Sequence, residues 1–252
     1  MHRSGVLLAA LVMAAISGFA ETPEQVFQQG NSLYQQGNFA GAIERYESVL
    51  ATGMANGDLY FNLGNAYYKQ GNMGKAILHY ERAFRLMPGD DDLRHNLQLA
   101  NLQLVDRIDP TPRLFVWDIW DGIKAWFSLP AITWAAYTML VLTAAAAVLI
   151  ILARRYSIRR IGVIALVVMG VFLIGMVAVL LDKTGDAGRS DEAVVTATIT
   201  TVKNSPDAKS SDAFVLHAGV KIRLTDSVNE WVKIRLADGK VGWMERGAAE
   251  QI

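Results

Sequence analysis

The residue types that most often do chemistry are sparse in this sequence, and those present stand apart. There is no cysteine, which removes a thiolate nucleophile, a thiolate zinc site, a disulfide framework and an acylated lipoprotein cysteine. The four histidines, His2, His79, His95 and His217, show no metal-ligand spacing. The one dense run of carboxylates, Asp90-Asp91-Asp92, opens an apolar-periodic segment, where acids complement the positive end of a helix dipole. No GxSxG, no phosphate-cradling glycine loop and no metal-spaced acids occur. The expectation is therefore a protein that is not an enzyme, with no catalytic residue, no metal and no cofactor. The chemistry that remains is recognition: asparagines and aromatic rings at repeat spacing, tryptophans, and a cluster of arginines.

Composition says what kind of chain must position those groups. Lys and Arg number 24 against 24 Asp and Glu, while 52% of residues are hydrophobic and only 19% charged. Soluble domains run nearer about a quarter charged. Balanced charge argues against a nucleic-acid partner. The balance is nonetheless a cancellation. Residues 21–109 are acidic, residues 110–181 are basic and otherwise nearly charge-free, and residues 182–252 are close to neutral. That is the pattern of a membrane segment between two soluble domains. At the start, His2-Arg3, an apolar run from Gly5 to Ile16, and small residues at Gly18 and Ala20 predict a signal peptide over 1–20. Its core is too short to span a bilayer, which takes about 20 apolar residues.

Residues 21–109 contain an internal repeat. Gly30-Asn31, Tyr34, Gly37-Asn38, Ala42-Ile43 and Tyr46 recur as Gly64-Asn65, Tyr68, Gly71-Asn72, Ala76-Ile77 and Tyr80, every pair 34 residues apart. Gly37 and Gly71 suit a turn that ends a helix in a left-handed conformation. Gly30, Gly64, Ala42 and Ala76 are small where two helices must approach closely, and Tyr46 and Tyr80 fill the adjoining space. After Pro88-Gly89, the stripe Leu93, Leu97, Ala100, Leu104 predicts a capping helix running to about Asp109. The period resembles the tetratricopeptide repeat, two antiparallel helices per unit. The second copy, with Tyr60, Leu63-Gly64, Tyr67, Ala76, Tyr80, Ala83 and Pro88, is similar to that family's pattern. The resemblance implies a concave wall lined by Phe27, Asn31, Tyr34, Phe61, Asn62, Asn65 and Lys69, where a partner would bind. Asn31 and Asn62 stand where carboxylate-clamping repeats carry asparagines, but the basic partners of that clamp are replaced by Phe27, Asp92 and Asn96. These asparagines can equally be ordinary repeat residues.

After Pro110-Thr111-Pro112 come Val116, Ile119, Trp120, Ile123 and Phe127 at helical spacing, with Asp118, Asp121 and Lys124 opposite. Trp117, Trp120, Trp126 and Trp134 crowd this stretch, and tryptophan concentrates at bilayer surfaces. An amphipathic helix lying in the membrane interface is expected within residues 110–128. Two charge-free spans follow, 131–153 and 161–181, joined by a loop over 154–160 that carries Arg154, Arg155, Arg159 and Arg160. Arginine-rich loops stay cytoplasmic, and the signal peptide independently places residue 21 outside. Both soluble domains are thus expected on the outer side of a bacterial inner membrane. Neither span holds a carboxylate, histidine, lysine or arginine, which argues against transport. Thr143, Ala147 and Gly170 predict close approach of the two helices.

Residues 182–190 read as a linker, and 191–252 change to short β-forming runs with an Asp238-Gly239 hairpin turn. The order Asn204-Ser205-Pro206, Leu216-His217-Ala218-Gly219, Trp231-Val232-Lys233-Ile234 and Asp238-Gly239-Lys240-Val241-Gly242-Trp243 resembles the bacterial SH3 domain, a small barrel. Trp243 is the candidate recognition residue, whereas Trp231 is expected to pack in or over the core. The fold class is therefore a tetratricopeptide helical array, a two-helix transmembrane hairpin and an SH3-like barrel. That combination resembles the BatE family of bacterial aerotolerance operons. The resemblance implies a scaffold in a membrane complex with von Willebrand A-domain proteins and a MoxR-type ATPase, serving tolerance of oxidative or envelope stress. The alternative is a tethered module that binds peptidoglycan peptides.

Overall fold

The computed structural model describes residues 21–112, 114–187 and 191–252. The expected signal peptide, 1–20, lies outside the described residues. The chain forms two compact units: the N-terminal helices together with the C-terminal sheet, and the helical segment between them.

The first unit opens with five helices, α1 (Pro23–Gln35), α2 (Phe39–Ala51), α3 (Gly57–Lys69), α4 (Met73–Leu86) and α5 (Asp91–Leu102). Local chemistry sets their ends. Gly37 and Gly71 take φ of +77° and +82°, and Asn38 and Asn72 then cap α2 and α4 by accepting the amides of Gly41 and Lys75. The recurring Gly-Asn pair thus closes one helix and opens the next. Thr22 and Gln25 form a reciprocal capping box at the start of α1. A Cβ on Gly30 would fall 2.5 Å from the Tyr46 ring, and Gly64 stands in the same way against Tyr80. Ala42 and Ala76 are fully buried beside them. The α5 helix ends at Leu102 rather than near Asp109. Leu104 leaves the expected helical stripe because it packs instead against Gly219 of the C-terminal domain.

That domain is a seven-stranded antiparallel sheet: β1 (Glu192–Val195), β2 (Ile199–Lys203), β3 (Asp212–His217), β4 (Lys221–Val228), β5 (Trp231–Arg235), β6 (Val241–Glu245) and β7 (Ala249–Gln251). The strand order is β3-β2-β6-β5-β4-β1-β7. Inward residues Val195, Val202, Leu216, Ile222, Val232, Ile234 and Met244 build its core. Asp238-Gly239 makes the β5–β6 turn, with Gly239 at φ +91°.

The second unit holds α6 (Phe115–Trp126), α7 (Leu129–Leu152) and α8 (Tyr156–Ala187). The latter two are long and apolar enough to cross a membrane. Their ends differ from the expected ones. The connection is residues 153–155, not 154–160, so Arg159 and Arg160 lie within the first five residues of α8. The helix also continues through Asp182 to Ala187, into the expected linker. Charge marks where apolar burial stops, but arginine and lysine are good helix formers, so the backbone stays helical beyond the apolar stretch. Close approach is at Gly162, where a Cβ would meet Ile150 at 2.6 Å, whereas a Cβ on Gly170 meets nothing within 4 Å. The Thr143 hydroxyl donates to the carbonyl of Met139 in its own helix.

Candidate functional site

Of the residues expected on the repeat wall, Asn31, Asn62 and Asn65 are held by one bonding pattern used twice. The Asn31 Oδ1 accepts from the Tyr46 hydroxyl at 2.8 Å and from the Asn62 amide at 3.0 Å. The Asn65 Oδ1 accepts from the Tyr80 hydroxyl and the Asn96 amide, each at 2.8 Å. Every member of the second set lies one repeat period beyond its counterpart. The asparagines thus join the two helices of a unit and one unit to the next. Burial pushes the Tyr46 hydroxyl up to about 12 and raises that of Tyr80 further, so both remain donors. Phe27 packs on Tyr46 and Phe61 on Tyr80, with ring centroids 5.7 and 6.1 Å apart. Tyr34 stands edge-on to Phe39. The half-exposed rings of Phe27, Tyr34 and Phe61, with the exposed Lys69 at the end of α3, are what this wall can offer a partner.

Sequence reasoning missed a second feature, the joint between α4 and the SH3-like sheet. Val194 of β1 is fully buried in the core of the repeats, and Ile252 packs against the same core. Gly74 permits this, since a Cβ there would come within 3.0 Å of the Val195 carbonyl oxygen. Charges surround the apolar centre. Lys221 bridges Glu81 and Glu192, each at 3.0 Å, and Arg85 reaches Glu192 at 3.5 Å. Lys75 pairs with Glu250, and Arg82 donates to the Gln251 carbonyl. Burial alone would lower the Lys221 pKa, but Glu81 and Glu192 raise it overall. Burial works to raise that of Glu192, and Lys221 with Arg85 lowers it overall. Asp106, in the irregular segment after α5, accepts the His217 amide at 2.6 Å and faces its ring Nδ1 at 3.1 Å. A cleft of about 610 Å³ opens here, lined in part by Gln70, Asn72, Gln103, Thr198 and His217. The only signals of this joint in the sequence were small residues, Gly74 and Ala218-Gly219, without an evident local reason.

On the sheet, the pairing register places Lys203, Trp243, Lys233 and Asp226 in one row across four strands. Trp243 is half-buried, with the Lys233 ammonium 5.8 Å from its ring centroid. Trp231 is half-buried too and sits on the same alternation of β5 as Lys233. Lys203 is tied to Asp212 at 2.9 Å and to the Ser210 carbonyl. In the second unit, Arg154, Arg155, Arg159 and Arg160 are all exposed. Among the described residues, no group of three or more His, Asp or Glu side chains could hold a metal ion.

Residues 27–91 match the model of the tetratricopeptide repeat, and residues 200–249 match that of the bacterial SH3 domain. The chain joins these two interaction modules through a pair of apolar helices. No curated protein matches it.

Proposed function

We propose that this chain is a non-enzymatic membrane adaptor whose repeats and SH3-like domain together recruit protein partners on the extracytoplasmic side of a bacterial inner membrane. One observation carries the reading. Residues that precede both apolar helices and residues that follow them share a core, with Val194 among the buried residues of the repeats. Segments that fold together lie on one side, so the chain between them must cross an even number of times, and two spanning helices supply that number. The orientation is supported by the four arginines at the turn, since such clusters stay cytoplasmic. The order of repeats, hairpin and SH3-like domain further supports a place in an aerotolerance complex, with von Willebrand A-domain proteins as direct partners and a MoxR-type ATPase beyond them. Affinity purification of the full chain from detergent-solubilised membranes tests this. A-domain membrane proteins should co-purify, and their absence under conditions that keep the chain folded would sink the assignment.

A second reading, a tethered binder of peptidoglycan peptides, is favoured by the Trp243–Lys233 pair on the sheet face. In that case the full chain in detergent should pellet with purified sacculi, and Trp243→Ala should release it. Pelleting that is indifferent to Trp243 would dismiss this face as the contact.

A further inference from the structure

Among the described residues, nothing neutralises the charge carried by the turn between the two apolar helices. Arg154 and Arg155 stand in the turn and Arg159 and Arg160 within the first five residues of α8, all exposed. No Asp or Glu occurs between Asp121 and Asp182. Along helices rising about 1.5 Å per residue, both acids lie roughly 35–40 Å from the turn. That is several times the screening length of about 8 Å at physiological salt.

The opposite end of this unit is built differently. There Lys124 meets Asp121 at 3.0 Å and Asp182 at 2.8 Å. Asp182 also accepts from the Trp120 indole at 2.9 Å, and Lys183 donates to the Lys124 carbonyl at 2.7 Å. Among the described residues, counter-charges are thus supplied at one end of this helical pair and none at the other.

Four guanidiniums in seven residues need anions from outside. Each presents planar pairs of N–H donors that match two oxygens of one phosphate. Their depth is set by the ends of two apolar helices, at the level of lipid headgroups. Tyr156, 80% exposed, sits between the two arginine pairs, and tyrosine favours that same layer. We propose that this turn is a binding site for the phosphodiester groups of anionic phospholipids, gripped by Arg154 with Arg155 and by Arg159 with Arg160. A zwitterionic lipid brings the same phosphate with an ammonium attached, which four positive charges repel. The site therefore selects net-negative headgroups, as basic pockets at the ends of membrane helices do.

Native mass spectrometry of the full chain in detergent, with phosphatidylglycerol, phosphatidylcholine or inorganic phosphate added in equal excess, tests the proposal. Detergent removes any effect of orientation in a bilayer. Wild type should retain phosphatidylglycerol at about tenfold lower concentration than phosphatidylcholine, in line with two or more charge-assisted contacts. Inorganic phosphate should not displace it. Changing all four arginines to glutamine should erase the preference, and R154Q/R155Q, which leaves α8 unaltered, should weaken it. Equal retention of both lipids by wild type would overturn the site. So would an undiminished preference in both variants, or displacement by inorganic phosphate, which would indicate a general anion patch.

Discussion

Acidification should loosen the second repeat through one side chain, His79. It is 4% exposed, and its ring lies between Tyr60 and Tyr67 at centroid distances of 5.9 and 5.4 Å. Its Nδ1 has no hydrogen-bond partner among the described residues. Burial, with Arg82 and Lys75 adding positive charge on the same helix, lowers its pKa from 6.5 to about 3. The unfolded chain therefore takes up this proton first. Stability is full well above pH 6.5 and declines as the pH falls through it, until the folded form also protonates near pH 3. The slope approaches about 1.4 kcal/mol per pH unit below 6.5, so roughly 2.3 kcal/mol is lost between pH 6.5 and 4.5. Glu192, whose pKa is lowered, loses its contribution only further into acid, so this window belongs to the histidine.

Hydrogen exchange of the full chain in detergent, read on peptides from Met73–Leu86 and corrected for the intrinsic pH dependence of exchange, reports the local opening energy. Wild type should lose protection steadily from pH 6.5 to 4.5. His79→Phe keeps an aromatic ring between the two tyrosines and removes the proton site, so its protection should stay nearly level. If the variant loses protection as steeply as wild type, the coupling lies elsewhere and the reasoning about His79 is wrong.

Other perturbations separate the remaining contacts. Asn65→Ala strands the Tyr80 hydroxyl and the Asn96 amide, which should cost about 1–3 kcal/mol in urea unfolding; an unchanged midpoint would mean the ladder contributes nothing. Gly64→Val drives a side chain into Tyr80, and a loss of about 1–3 kcal/mol is expected, visible in near-UV circular dichroism as altered tyrosine packing. Gly74→Leu should part the SH3-like sheet from α4 and expose residues 103–109 to limited proteolysis, whereas a digestion pattern like that of wild type would count against the joint. In the membrane hairpin, Gly162→Leu should reduce crosslinking between the two spans while Gly170→Leu leaves it unchanged; the reverse order would contradict the close contact at Ile150.

What was legible in this sequence is what repeats or punctuates. The period of 34 exposed the helical pairs, and Gly-Asn steps marked turns whose left-handed glycines the structure contains. The asparagine ladder was half legible: the positions stood out, but a residue that repeats can serve a partner or the repeat itself. The spacing holds the answer. Asn31 meets Asn62 and Asn65 meets Asn96, both 31 residues apart, and each asparagine meets a tyrosine 15 residues on. An interaction that recurs with the period belongs to the array, because a bound partner has no reason to follow it. The joint was illegible for the opposite reason. Lys75 and Glu250 are 175 residues apart, and Lys221 and Glu81 are 140 apart. Each is an ordinary surface charge in its own helix or strand, and no local pattern distinguishes it from a solvated one. The same limit explains the membrane boundaries. Composition reports where apolar burial ends, but the helix ends where backbone hydrogen bonding ends, and arginine sustains it. The arginines at the turn thus act twice. Arg159 and Arg160 sustain the helical start of α8, and all four stand where, among the described residues, no carboxylate answers them, so the proposed answer is the headgroup layer.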